Sequence, residues 1–98
     1  MSEELVADNS LSSKLILFVT DGAPRSGRAR DNLSAALIQK GLDGWPREID
    51  LLKEPGQALA FGMFATPALL RIGADGPKAV LYGDFSDTGS LMRFLEAL

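Results

Sequence analysis

The chain is 98 residues long, 46% apolar and 23% charged, with a net charge of −3, which bounds it to one small globular domain. It contains neither cysteine nor histidine. Disulfides, thiol redox chemistry, a thiolate nucleophile, an imidazole base and a Cys/His zinc site are therefore excluded, and neither cofactor nor metal is expected.

The first residues, MSEELVADNS, are polar and aperiodic, so residues 1–12 are expected to be a disordered tail ahead of a single domain over 13–98. They lack the basic start and apolar centre of a secretory signal, and no apolar run reaches the ~20 residues that span a bilayer. A cytoplasmic protein without membrane contact is the expectation. Glu3, Glu4 and Asp8 of this tail account for the net charge, and the remainder carries ten acids against ten bases. A neutral body argues against nucleic-acid binding, which needs a basic footprint.

KLILFVTDG (14–22) holds the apolar run Leu15 to Val19, stopped by Asp21-Gly22, and reads as a strand buried on both faces. Pro24 suits the first turn of a helix, and Ala29, Leu33, Ala36 and Leu37 share one helical face before Gly41 stops it. GWPREIDLL (44–52) alternates at Ile49 and Leu51 and reads as a second strand, parallel to the first across the helix. EPGQALAFGMF (54–64) opens on proline and predicts a short helix, weakened by Gly56 and Gly62. PALLRI (67–72) and KAVLYG (78–83) are strands joined by the GADGP turn (73–77), hence an antiparallel hairpin. In SDTGSLMRFLEAL, Ser86 is the expected N-cap with Asp87 in the first turn. Leu91, Phe94, Leu95 and Leu98 then form the i, i+3, i+4, i+7 stripe of a closing helix.

The order β-α-β-α-β-β-α puts a right-handed βαβ unit and a ββα unit into one four-stranded mixed sheet flanked by helices, the thioredoxin-like α/β arrangement. In such folds the redox pair sits where the first strand meets the first helix. This chain reads TDGAPRSGRAR there, without a thiol, and its glycines lack the Walker spacing of a phosphate loop. Arg25, Arg28 and Arg30 either solvate the helix or attract an acidic surface. Asp21, Asp84 and Asp87 lie near strand ends, where carboxylates serve turns and caps, and so small a chain has little material to wall a hydrolytic cleft. Trp45 and Tyr82 read as packing residues. Thr66-Pro67, between a helix and an inner strand, is expected to be cis.

LILFVTDGAPRSGRARDNL, EIDLLKEP, FATPALLRI and LYGDFSD stand in the order and near-spacing of the KaiB circadian-clock family, which the chain resembles from about residue 14 to residue 98. It is also similar to the KaiB-like sensor domain of the partner histidine kinase. The resemblance implies a non-enzymatic adaptor that binds the ring ATPase KaiC. It also implies a metamorphic protein, in which a tetrameric resting fold interconverts with the thioredoxin-like, KaiC-binding fold. On this resemblance Arg28, Arg47, Arg71 and Lys78 fall on or near basic partner-contacting positions. Thr66, Pro67, Gly83 and Asp84 carry the Ala-Thr-Pro and Gly-Asp-x-Ser-Asp elements, with Pro67 kept to shape a binding face rather than to guard a disulfide.

Two positions depart from the family. A glycine important to the resting fold is replaced by Phe94 in the glycine-free run SLMRFLEAL, which favours the thioredoxin-like fold as ground state and leaves the resting fold as the alternative. The family's charged second helix reads ALAFGMF here, an apolar patch that invites self-association unless it is buried. The competing reading is a redox-inactive thioredoxin-like module for a different partner, such as a sensor kinase.

Overall fold

Strand β1 (Leu15–Val19) is buried along its whole length because it lies inside the sheet with a helical layer on each face. The computed structural model describes residues 11–98. The sheet runs β2-β1-β3-β4, with β2 spanning Arg47–Asp50, β3 Ala68–Gly73 and β4 Gly76–Tyr82. Helix α1 (Pro24–Gln39) makes the crossover that leaves β1 and β2 parallel, in register Ile16 to Arg47 and Phe18 to Ile49. β3 runs antiparallel to β1, pairing Leu15 with Arg71 and Phe18 with Ala68, and β4 closes the hairpin with Tyr82 opposite Ala68. This is the thioredoxin-like α/β fold expected from the pattern, a four-stranded mixed sheet with three helices.

Alternation along β1 divides the core. Leu15, Leu17 and Val19 point to the face covered by α1 and by α3 (Thr88–Glu96), where Leu33, Leu37, Leu91 and Leu95 meet them. Ile16 and Phe18 point to the other face, covered by the six-residue α2 (Pro55–Ala60) through Ala58, with Met63 beside it. Phe61 adds an edge-to-face contact on Phe18 at 5.9 Å between ring centres.

Several boundaries differ from the sequence expectation. Residues 1–10 of the expected tail lie outside the described residues, but Leu11 and Ser12 open a one-turn 3-10 helix, Leu11–Ser13, with Leu11 buried against the α1–α3 core. β2 stops at Asp50 instead of running to 52, and α2 stops at Ala60, with Gly62 just past its end at φ +70°. The hairpin turn shrinks to Ala74-Asp75, because Gly73 and Gly76 pair. The cap of α3 is Asp87 rather than Ser86: its carboxylate accepts the Ser90 N–H at 3.1 Å and the Ser90 hydroxyl at 2.9 Å. Leu91 and Leu95 carry the buried stripe of α3, Phe94 is half-buried, and Leu98 is exposed beyond the helix end. Among the described residues no helix is long and apolar enough to cross a membrane.

The cap assignment is open to direct check. Asp87→Ala is expected to lower the melting temperature by a few degrees in a circular-dichroism melt. Ser86→Ala, which keeps the backbone N–H donated to Asp84, is expected to move it less.

Candidate functional site

At the end of β1 three segments meet: the β1–α1 junction, the loop ahead of β3 and the turn after β4. Thr20 ends the strand, and its hydroxyl shares a 2.6 Å hydrogen bond with the Thr66 hydroxyl. The Thr20 N–H donates to Ser26 Oγ at 3.0 Å, so the fully buried serine in the first turn of α1 fixes the junction. The Thr66–Pro67 bond is cis, as expected. Pro67 has no N–H to give, but its carbonyl accepts the Gly83 N–H at 3.0 Å. Gly83 does this at φ +108°, a conformation that side chains resist.

The next residue, Asp84, is a three-way tie. Its carboxylate accepts from Arg28 Nε at 3.1 Å and from the Ser86 N–H at 3.1 Å, while its carbonyl accepts from Asn32 Nδ2 at 2.9 Å. Phe85 follows at φ +64°, unusual for an aromatic residue, and is held there by burial of its ring in the α1–α3 core. The Ala-Thr-Pro and Gly-Asp-x-Ser-Asp elements, distant in sequence, are thus one structure.

Electrostatics tighten this corner. Arg28, and after it the Ser86 donors, hold the Asp84 carboxyl at about 2 instead of its ordinary 3.8. The Ser90 N–H and hydroxyl lower Asp87 for the same reason, by hydrogen bonding to its charged form. A carboxylate so acidic is a poor general base at neutral pH. The β1–α1 junction, without a thiol, is tied across to the loop ahead of β3 by a pair of hydroxyls, Thr20 and Thr66.

The four basic positions carried over from the resemblance are not gathered at one place. Arg28 sits at the Asp84 end of the sheet and is half-exposed. Arg47 and Arg71 pair with Ile16 and Leu15 at the opposite end, but on opposite faces: Arg47 reaches Gln57 on α2 at 3.5 Å, and Arg71 reaches α3. Arg71 donates to the Phe94 carbonyl at 3.2 Å and stacks on the Phe94 ring, 4.9 Å from its centre. Lys78 lines the same hollow as Arg71.

Other residues escaped the sequence reading. Lys14 joins Arg71 and Lys78 in that hollow, Asn32 holds the Asp84 turn, and Glu48 accepts from both Arg30 and the Trp45 indole, the latter at 2.7 Å. The apolar second helix is only partly covered. Ala58 and Met63 are buried, yet Leu52, Leu59 and Phe64 are 70%, 64% and 73% exposed.

No family model matches the chain, and no curated protein matches it in sequence. Solved structures match its fold. Mitochondrial thioredoxin 3 of Saccharomyces cerevisiae, in its oxidized form, superposes with a TM-score of 0.72 at 13% identity, over 99% of this chain and 88% of that one. Deadhead, the germline-specific thioredoxin of Drosophila melanogaster, gives 0.71 at 14% identity over 99% and 90%. Thioredoxin 1 of Thermosipho africanus gives 0.64 at 16% identity over 86% and 96%. Identities this low establish a thioredoxin-like fold and nothing finer.

Arg28→Ala is expected to raise the Asp84 midpoint from about 2 toward 3.8, followed by carboxyl-carbon NMR. Because the folded value is the depressed one, the stability this carboxylate contributes is complete above its unfolded midpoint near 3.8 and disappears as pH falls through about 2. The variant loses the part of that acid-side dependence that Arg28 supplies and keeps the part that the Ser86 donors supply.

Proposed function

We propose that this chain is a KaiB-like, non-enzymatic regulatory protein that docks on a KaiC-type ring ATPase in its thioredoxin-like form, within a circadian-clock, timing or stress-signalling system. One observation carries the reading: the Gly83 N–H on the Pro67 carbonyl joins the two sequence elements on which the resemblance is most specific. They meet beside the β1–α1 junction, to which Thr66 is tied by the Thr20 hydroxyl and which contains no thiol. A charge-balanced body that places arginines and a lysine at the positions carried over from the resemblance suits docking on an acidic ring surface. Of the four carried-over positions, Arg71 and Lys78 act from one hollow, Arg47 from the other face of the same end, and Arg28 through its pair with Asp84.

The thioredoxin-like packing is the proposed ground state. Releasing α3 exposes Leu91 and Leu95, at about 1.5–3 kcal/mol of burial each, and breaks both contacts between Arg71 and Phe94. A single set of peaks is therefore expected in the wild-type amide NMR spectrum. Phe94→Gly, which also costs about 1 kcal/mol of helix propensity, is expected to add a second set or to lower the melting temperature. Two wild-type sets of similar intensity would contradict this.

Charge reversal tests the docking. Arg47→Glu and Lys78→Glu are expected to weaken binding to a KaiC-type ring by roughly tenfold or more each, since close interfacial charge pairs couple by about 1.5–7 kcal/mol. Arg71→Glu is expected to do the same, with a melt run alongside because it also unties α3. Unchanged affinity in all three, by calorimetry, overturns the docking assignment.

A second reading has its own support. Exposed Leu59 and Phe64 flank an apolar groove on α2, where the clock proteins are charged, and this favours a different partner such as a sensor kinase. Under that reading Phe64→Ser removes kinase binding and the three charge reversals do not.

A further inference from the structure

A hollow of about 590 Å³ lies between the start of β1, the β3–β4 hairpin and the residues after α3, within the size range of small-molecule sites. Among the described residues three cations line it, Lys14, Arg71 and Lys78, and no acidic side chain does. Elsewhere Arg28, Arg30, Lys40 and Lys53 each face a carboxylate. Among the described residues no carboxylate, the terminal one of Leu98 included, lies within ion-pair distance of Lys14 or Arg71. Lys78 meets Asp75 at 3.7 Å, but that aspartate side chain is 91% exposed and such surface pairs hold little energy.

Two of the cations are positioned by the fold. Arg71 is fixed by the Phe94 ring and carbonyl, which engage one of the five guanidinium N–H groups and leave the rest for a ligand. Lys78 lies across Gly73, where a Cβ would come within 2.5 Å of Lys78 Cε and push the chain aside. Ile72 and Leu98 supply an apolar wall. Three cations lining one hollow, one of them a planar fork, suit tetrahedral phosphate oxygens, and the wall suits an organic body.

We propose that this hollow binds a small phosphorylated molecule, its phosphates on Lys14, Arg71 and Lys78 and its organic part on the Ile72–Leu98 wall. The site shares two residues with the docking set but does not rest on docking, and its test contains no ring partner. The full chain is titrated separately with adenosine diphosphate and with inorganic pyrophosphate, followed by amide NMR. Saturable shifts confined to residues 13–14, 71–74, 78 and 97–98 are expected, with the nucleotide binding more tightly than pyrophosphate.

Lys14→Glu with Lys78→Glu is expected to weaken nucleotide binding roughly tenfold for each lysine reversed, with peaks outside the hollow unmoved. Lys53→Glu, an exposed reversal away from the hollow, is expected to leave it unchanged. Shifts that never saturate, shifts spread equally over Arg28 and Arg47, or full affinity in the double variant would overturn the site. Equal binding of both probes would overturn the role of the apolar wall.

Discussion

β1 is the element on which the rest depends. A strand with every residue buried must be paired on both edges and covered on both faces, and each requirement places a part of the candidate site. Pairing with β3 sets Phe18 opposite Ala68, which carries Thr66 and Pro67 to the end of β1 where Thr20 waits. Pairing of β4 with β3 sets Tyr82 opposite Ala68, which brings Gly83 to the Pro67 carbonyl. The corner is a consequence of strand register more than of any single side chain.

The cover is uneven, and that unevenness shapes the surface. One face has two helices of sixteen and nine residues, and the other has one of six. Six residues hide Ala58 but cannot hide Leu59, and Leu52 and Phe64 in the flanking loops stay in solvent as well. At the far end of the sheet the hairpin leaves Arg71 and Lys78 without strong acidic partners, so the molecule presents a basic hollow and an apolar groove at separate places.

How much of this was legible in the sequence depends on range. β1, α1 and the hairpin follow from local apolar pattern and turn residues, and the Thr66-Pro67 corner from its place in the predicted topology. Leu11 did not, because an isolated leucine in a polar stretch has no period until β1 offers it a surface. Ser86 and Asp87 are both good caps by type, and only the backbone bend at Asp84 and Phe85 decides between them. Phe94 falls on the apolar stripe, yet Arg71, twenty-three residues earlier, holds its ring at the rim of the core. The basic positions could be named singly, but their division between two faces and two ends follows from strand parity and register, which appear only once the sheet is assembled.

Hydrogen–deuterium exchange of the full chain, alone and mixed with a KaiC-type ring ATPase, tests the central claim most directly. The expected result is new protection over residues 47–50 and 71–79 on mixing, with α3 already slow to exchange in the free protein and still slow in the complex. No new protection anywhere, or an α3 that exchanges freely in the unbound chain, would contradict a thioredoxin-like adaptor of this kind.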